Sequence, residues 1–319
     1  MCINDRKKPS PHTVVDEKSL NLSFWNIHGY KSSLIGDKFS DNEFLNIFRD
    51  DHIVGLVELH TESKPSMSGF KLIKQKIRKK LHKGPKISGG LALFVKSEYA
   101  HLVKPVKNDN EDSIWVKVSK EGTDSLSDLY IGTLYLSPAR DETGKNEGRA
   151  SLEVFFNEIR KFKEKGTVIA QGDINAHTST LPDYLESDKT DEEMGIKNYA
   201  KPLSRNSEDK KPPNERGKHF VDLCKAYDML IVNGRKTGDI FGKYTSFQWN
   251  GARVVDYVLS ERVQQHNILD FKVGPFRPWL SDHCPLHYSI SLKNDIEPKE
   301  DDKGKDSPTR FHCFIKTKA

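Results

Sequence analysis

Residues 167–177 read TVIAQGDINAH, and the reading of this stretch decides the fold. The apolar run Thr167–Ala170 predicts a buried strand. It stops at Gly172, and two polar side chains follow, Asp173 and Asn175. Residues two apart on an extended segment point the same way, so a carboxylate and an amide face one spot at the mouth of a sheet. A carboxylate there can orient or deprotonate a water. An amide can donate to an oxygen on which negative charge builds. Gly, Asp and Asn are also the ordinary residues of a strand-ending turn. Taken alone, the stretch leaves the two readings about even. Other stretches of the same anatomy tip the balance.

Three of them stand out. Leu20–Trp25 alternates apolar and polar, as a strand does, and ends in Asn26-Ile27-His28-Gly29. Ile53–Leu59 is nearly all apolar, as in a strand buried on both faces, and its exception is Glu58. Val254–Leu259 is another apolar run interrupted by one acid, Asp256. A carboxylate in such a run needs a partner, because an unpaired buried charge is very costly. A metal ion or a basic side chain would serve Glu58.

The remaining chain alternates strands and helices. Ser40–Arg49 reads as a short helix, with Ser40 as N-cap and Glu43 closing a capping box. Ala150–Lys163 carries Leu152, Phe155, Phe156, Ile159 and Phe162 on a single helical face. Asn214 caps a helix over Arg216–Tyr227. Strands are expected at 113–118, 129–135, 229–232, 244–249, 253–259, 268–273 and 286–292. Asn250-Gly251 marks a hairpin between the strands on either side. The long polar segment Thr178–Pro213 is expected to hold small helical turns, disorder or a mobile flap.

Composition narrows the class. Of 319 residues, 30% are charged and 35% apolar, and the apolar ones are grouped in runs, which suits one layered core with polar loops. The formal charge of +5 is only mildly basic, so a polyanion site must come from local clustering. Lys71–Lys86 is such a cluster, with eight basic residues and no acid in sixteen positions. It reads as a strand running into a basic hairpin tip, returning through Gly89-Gly90-Leu91-Ala92. A polyanion contact is at least as good an account of it as a solvated loop. The four cysteines have neither paired nor metal spacing, and no signal peptide or membrane-length apolar run is visible. An intracellular, nuclear setting without membrane attachment is expected.

Trp25-Asn26-Ile27-His28-Gly29, Glu58, Gly89-Gly90-Leu91-Ala92, Leu134-Tyr135, Gly172-Asp173-Ile174-Asn175, Val255-Asp256-Tyr257 and Ser281-Asp282-His283 stand in one order. That order resembles the endonuclease/exonuclease/phosphatase superfamily, from about Asn21 to Leu292. Asn214-Glu215-Arg216-Gly217, Val232-Asn233-Gly234-Arg235 and the Tyr244-Thr245 strand are most similar to the endonuclease domain of non-LTR (LINE-type) retrotransposons. The resemblance implies a DNase I-like fold, an α/β four-layer sandwich of two mixed β-sheets flanked by helices. It would span residues 20–293, with a disordered arm over 1–19 and a charged tail over 294–319.

The resemblance also implies a mechanism. Glu58, with Asn26 and Asp282, would hold Mg²⁺ or Mn²⁺, hard ions that suit oxygen ligands. His283 would pair with Asp256. Asp173 would orient or deprotonate the attacking water, and whether Asp173 or His283 is the formal base stays open. Asn175 and Tyr135 would donate to the phosphate oxygens. Lys79, Lys80, Lys83 and Thr245 would contact nucleic acid. The product would be a DNA nick with a 3′-hydroxyl, the primer for a reverse transcriptase domain that lies outside this chain. One departure is expected to weaken metal binding: abasic-site repair enzymes carry an acid two residues after the strand-ending Asn, where this chain has His28. Two rival readings are a phosphoesterase of the same fold acting on abasic DNA, RNA tails or lipid head groups, and a non-catalytic nucleic-acid-binding remnant. Fold does not decide among substrates.

Overall fold

In the structure, a computed structural model, residues 19–77, 89–121, 123, 125–139, 141–185 and 202–292 are described. The strands are β1 (Ser19–Asn26), β2 (Lys31–Ser32), β3 (Gly36–Asp37), β4 (Ile53–Val57), β5 (Phe70–Lys76), β6 (Leu91–Lys96), β7 (Val103–Val106), β8 (Ser113–Val118), β9 (Asp128–Tyr135), β10 (Gly166–Asp173), β11 (Met229–Ile231), β12 (Ser246–Gln248), β13 (Gly251–Arg253), β14 (Asp256–Glu261), β15 (Ile268–Val273) and β16 (Leu286–Ser291). The α-helices are α1 (Asn42–Ile47), α2 (Glu142–Lys163) and α3 (Glu215–Ala226).

Two six-stranded sheets result, ordered β15-β16-β1-β4-β6-β5 and β11-β14-β10-β9-β8-β7. Both are mixed. The β1–β4 and β9–β10 pairs are parallel, and the other pairs within these two sheets are antiparallel.

Side-chain alternation along the strands explains the layers. Leu22 and Phe24 of β1, Leu91, Leu93 and Val95 of β6, Ile131 of β9 and Ile169 of β10 pack into one cluster between the sheets. The intervening residues face outward. Trp25, Val54, Leu56, Ala92 and Phe94 meet Phe44 of α1, and Phe39 and Phe48 beside it. Val168 and Ala170 meet Leu152, Phe155, Phe156 and Phe220 of α2 and α3. The order is therefore helix, sheet, sheet, helices, a four-layer α/β sandwich. Strands covered on both faces need apolar residues at nearly every position, which is why the sequence shows unbroken runs. One polar residue bridges the inner faces. Gln171 donates to Thr133 Oγ1 (3.2 Å) and accepts from the Tyr288 hydroxyl (2.7 Å).

Element boundaries differ from expectation in several places, and α2 begins at Glu142 rather than at Ala150. The helix expected from Ser40 starts at Asn42, and its N-cap is Asp41, which accepts from Phe44 N. Ser40 is consumed in a preceding 3-10 turn, Lys38–Ser40, itself capped by Asp37. Glu43 is thereby released from the expected capping box and binds Arg277 and Trp279 instead. The strand expected over 253–259 breaks at Val254-Val255, because their amides turn to Asp209 Oδ2 and Thr245 Oγ1. The strand expected over 244–249 shortens to β12, and the hairpin with β13 turns at Trp249-Asn250, one residue before the expected Asn250-Gly251, with Gly251 paired to Gln248. The long polar segment is partly described. There Asp183 pairs with Arg235, and Asp209 with His177. The arm, except Ser19, and the tail 294–319 lie outside the described residues.

Trp115 lies opposite Gly132 across β8 and β9, and its ring covers the space a side chain there would need. A Cβ at Gly132 would stand 2.6 Å from that ring. The ring cannot retreat, since it packs on Phe155 and Phe162 and its Nε1 donates to Glu158 (2.7 Å). Gly132→Ala is expected to cost about 1–3 kcal/mol by overpacking. The midpoint of urea unfolding, at unchanged slope, measures it.

Candidate active site

The inner-facing alternation ends at one rim in polar groups. In β1 it runs Leu22, Phe24, Asn26; in β9 Ile131, Thr133, Tyr135; in β10 Ile169, Gln171, Asp173. Asp256 opens β14 directly opposite Asp173 in the antiparallel register. Four strand ends from two sheets thus bring Asn26, Tyr135, Asp173 and Asp256 together. The turn Ser281–His283 before β16 adds Asp282 and His283.

Asp173 is fully buried and held on three hydrogen bonds. Its Oδ2 accepts from Asn26 Nδ2 (2.9 Å) and Asn175 Nδ2 (3.1 Å), and its Oδ1 from the Asn175 amide (2.9 Å). Asn175 makes these bonds from a left-handed backbone (φ 49°) and also donates to Leu136 O (2.8 Å). Both its amide hydrogens are therefore committed, so in this arrangement Asn175 fixes Asp173. A bond to a phosphate would replace one of them.

His283 Nδ1 lies 2.8 Å from Asp256 Oδ2, and its Nε2 4.0 Å from Asp173 Oδ2. Burial alone would lower the His283 imidazole, but the charge and hydrogen bond of Asp256, followed by Asp173, push it up to about 10. Burial, then the Asp256 charge, holds the Asp173 carboxyl well above the ordinary range. Burial, then the charges of Glu58 and Asp173, does the same to the Tyr135 phenol, which stays protonated as a donor. Asp173, Asp256 and His283 offer ligand atoms within 4.8 Å of one another. Their present order is a hydrogen-bonded array.

Across the rim stand Glu58 and Asp282. Glu58 leaves β4 with a left-handed backbone (φ 55°), as do His60 (φ 53°) and His28 (φ 47°). Such conformations cost on the order of 1–3 kcal/mol each and persist only where surroundings impose them. Here Gly29 N bonds Glu58 O (2.6 Å), Tyr30 N bonds Leu59 O (2.9 Å) and His60 N bonds Gly89 O (2.9 Å). The three stretches Asn26–Tyr30, Glu58–His60 and Gly89-Gly90 are locked together by backbone. The donors on this side are oxygen-rich, the chemistry that hard divalent cations take. Asp282 Oδ1 is sealed from solvent and accepts no hydrogen bond. Glu58 Oε2 and Asp282 Oδ1 flank the His28 Nδ1 at 3.6 and 3.3 Å. Asn26 Oδ1 accepts from His28 N (3.0 Å) and keeps a second lone pair.

Several supporting residues carry no signal that sequence reasoning could use. Lys38 is buried and donates to Ile27 O and to Gly29 O (2.7 Å), clamping the loop after Asn26. Burial lowers its ammonium to about 8 against the pull of Asp282. Arg216 donates to Ser137 O (2.9 Å) and Ile174 O (3.2 Å), tying the loops behind Tyr135 and Asp173. His60 could have been noticed, since it follows Glu58 by two. So could Trp249, at the tip of the expected hairpin. It is 97% exposed, and the hairpin bonds Asp282 through Phe247 N (2.7 Å).

No family profile matches the sequence, and no curated protein matches it either. Solved structures do. The endonuclease domain of TRAS1, a telomere-specific non-LTR retrotransposon, superposes with a TM-score of 0.53 at 14% identity, covering 86% of this chain and 99% of that one. An AP endonuclease from Leishmania major gives 0.59 at 10% identity over 86% and 88%. The APE2 catalytic domain from Xenopus laevis gives 0.59 at 14% identity over 87% and 94%. The fold is that of the endonuclease/exonuclease/phosphatase superfamily. At these identities the likeness is one of fold.

Within that fold, Thr245, one of the expected nucleic-acid contacts, takes another role. Thr245 is fully buried, and its hydroxyl accepts from Val255 N and Asp256 N (both 3.1 Å). It braces the backbone at Asp256 from inside the core. In the basic run, Lys74 donates to Val106 O and Asn108, and Lys76 to Asn110 O (2.6 Å), so these two ammoniums hold a neighbouring loop. Lys79, Lys80 and Lys83 lie outside the described residues. Among the described residues, no helix is long and apolar enough to cross a membrane.

The raised His283 value has a testable sign. An imidazole with a folded value near 10 and an unfolded value near ~6.5 contributes stability that is complete below ~6.5. That contribution is lost as pH rises through about 10. In metal-free protein at pH 8, ¹⁵N chemical shifts should report His283 as an imidazolium, when a solvent-exposed imidazole is neutral. A neutral His283 at that pH would remove the charge assigned to it.

Proposed function

We propose that the protein is a divalent-metal-dependent phosphodiesterase that nicks DNA and leaves a 3′-hydroxyl, of the retrotransposon endonuclease type. The observation that carries this reading is Asp173. It is a fully buried carboxylate with raised basicity, held on three hydrogen bonds and facing a second carboxylate pair across one rim. Asp173 takes the proton of the attacking water. Its raised affinity for a proton suits a base that must work near neutral pH. His283 is held charged by Asp256, so it acts as a donor to the phosphate and leaves the base role to Asp173. Tyr135 keeps its proton and donates to a phosphate oxygen as charge builds there. Glu58, Asp282 and the side-chain carbonyl oxygen of Asn26 would hold the ion. A bound Mg²⁺ or Mn²⁺ supplies charge neutralisation for the scissile phosphate and its leaving oxygen.

DNA is favoured over a lipid head group by Trp249. An indole 97% exposed beside the metal side offers a stacking surface for a base. The neighbours named as AP endonucleases and as a retrotransposon endonuclease point the same way. A 3′-hydroxyl nick would prime a reverse transcriptase supplied by another domain or chain.

Supercoiled plasmid tests the reading. Relaxation is expected with Mg²⁺ or Mn²⁺ and not with chelator, and the nicks should be extendable by a polymerase. Asp173→Asn and Glu58→Gln should each lower the rate by about 10²–10⁴-fold while the circular dichroism stays unchanged. Nicking by Asp173→Asn at the parental rate would remove the base assignment. If Lys79, Lys80 and Lys83 also track the backbone, their joint replacement by Ala should flatten the salt dependence of DNA binding. The expected loss is roughly 0.9 in log–log slope per phosphate contact. An unchanged slope and affinity would take these lysines out of the interface.

A further inference from the structure

Thr245, just before β12, is bonded to both sides of the Asp256–His283 pair. Its hydroxyl accepts from Val255 N and from Asp256 N, both at 3.1 Å. Its carbonyl accepts from the amide of Cys284 (2.7 Å), the residue after His283, and its own amide donates to Arg253 O (2.8 Å). The first residues of β12 extend the same seam. Ser246 stands opposite His283 in an antiparallel bridge, and Phe247 N donates to Asp282 O (2.7 Å). One fully buried residue therefore grips Asp256 by its side chain and the His283 turn by its main chain.

Asp256 needs such a grip more than Asp173 does. The Asp173 carboxylate is fixed by three hydrogen bonds of its own. The Asp256 carboxylate meets His283 Nδ1 through Oδ2 (2.8 Å), while its Oδ1 is sealed from solvent without a hydrogen bond. The direction of this side chain therefore comes from its backbone. Asn233 Nδ2 holds the Asp256 carbonyl (3.1 Å), and the Val255 carbonyl accepts from Ile174 N (3.0 Å), the amide that follows Asp173. The amides at Val255 and Asp256 are left to the Thr245 hydroxyl. Valine has the shape of threonine but accepts nothing, and it would leave both buried N–H groups unpaired.

We propose that Thr245 is a positioning residue of the active site, whose hydroxyl sets the reach of Asp256 to His283 and so the angle at which that imidazole meets the phosphate. The effect on rate rests on the reading of His283 as a donor to the phosphate; the effect on the pair itself does not. A displacement of about 1 Å at a catalytic group is enough to cost on the order of 10²-fold in rate. Thr245 is fully buried, so its loss falls on kcat rather than on binding of the substrate.

Thr245→Val, Thr245→Ala and Thr245→Ser separate the oxygen from the packing. Circular dichroism checks that each variant folds; Thr245→Ala and Thr245→Ser differ from each other only in the oxygen, so that pair decides if Thr245→Val does not fold. In metal-free protein, the downfield proton resonance of the His283 Nδ1–H bond to Asp256 is assigned by its absence in His283→Gln. It should persist in Thr245→Ser and be lost or displaced in Thr245→Val and Thr245→Ala. In Mg²⁺-dependent plasmid nicking, kcat should fall roughly 10–100-fold in Thr245→Val and Thr245→Ala, with KM unchanged, and recover in Thr245→Ser. In a His283→Ala background, Thr245→Val should cost almost nothing further in single-turnover rate, because residues that act as a unit are non-additive. An undisturbed resonance in the variants that lack the oxygen overturns the proposal, whether or not the protein nicks DNA. A full additional loss in the His283→Ala background also overturns it and leaves Thr245 a packing residue. If the parental protein nicks nothing, the phosphodiesterase reading falls and the resonance alone decides the role of Thr245.

Discussion

Asp173 and Asp256 face each other across β10 and β14, both fully buried. Two carboxylates in direct cross-strand register inside a protein repel each other strongly and are dehydrated as well. The rest of the rim is arranged around this constraint. One imidazole, His283, is placed against Asp256 at 2.8 Å and within 4.0 Å of Asp173. Two amides, Asn26 and Asn175, supply hydrogen bonds to Asp173. The outcome is asymmetric. Asp256 receives the imidazolium and keeps it charged, and Asp173 is left with a high affinity for a proton. Two acids in similar strands thereby acquire different chemistry from their neighbours, as paired catalytic carboxylates do when their environments diverge.

The bond from Asn26 to Asp173 also joins the two sheets, since β1 belongs to one and β10 to the other. Below it the inner faces hold an apolar layer with Gln171 as a polar bridge. The site is thus the last rung of the inter-sheet core, where apolar side chains give way to polar ones. That position explains its rigidity. Each polar group stands on a strand whose preceding inner residues are packed, so its direction follows from the pleat. A site built on strand ends needs little reorganisation when charge develops.

How much of this the sequence carried depends on the range of the interaction. Strands ending in Asn26, Tyr135 and Asp173 were legible because alternation and apolar runs are local. Asp256 and Glu58 were legible as acids in apolar runs, which local chemistry marks as needing partners. The partners themselves are long-range. Lys38 reaches Ile27 and Gly29 from a polar loop, and nothing in its surroundings distinguishes it from the other lysines of a 30% charged chain. Thr245 was read as a ligand contact because its stretch resembles a motif. Its hydroxyl is in fact spent on the amides at Val255 and Asp256, where the expected strand breaks. The break at Val254-Val255 was invisible for the same reason, since it is caused by side chains from 10 and 45 residues away. Lys74 and Lys76 show the converse error. A run of like charge suggested one shared role, yet strand geometry turns these two onto the 106–110 loop.

The two halves of the rim are built differently, and the difference follows from what each must hold. The Asp173 side is satisfied by hydrogen bonds, with the network closed apart from Asp256 Oδ1. The Glu58 side is held by backbone strain. Three left-handed residues, His28, Glu58 and His60, are fixed by bonds among the loops at 26–30, 58–60 and 89–90 and by the Lys38 ammonium beneath. Those bonds satisfy the backbone, while Glu58 pairs with His28, His60 and the Tyr135 hydroxyl, and Asp282 with His28. Under the proposed reading, a buried ammonium at a lowered affinity for its proton supports the loop whose neighbouring carboxylates would hold a cation bound from solution.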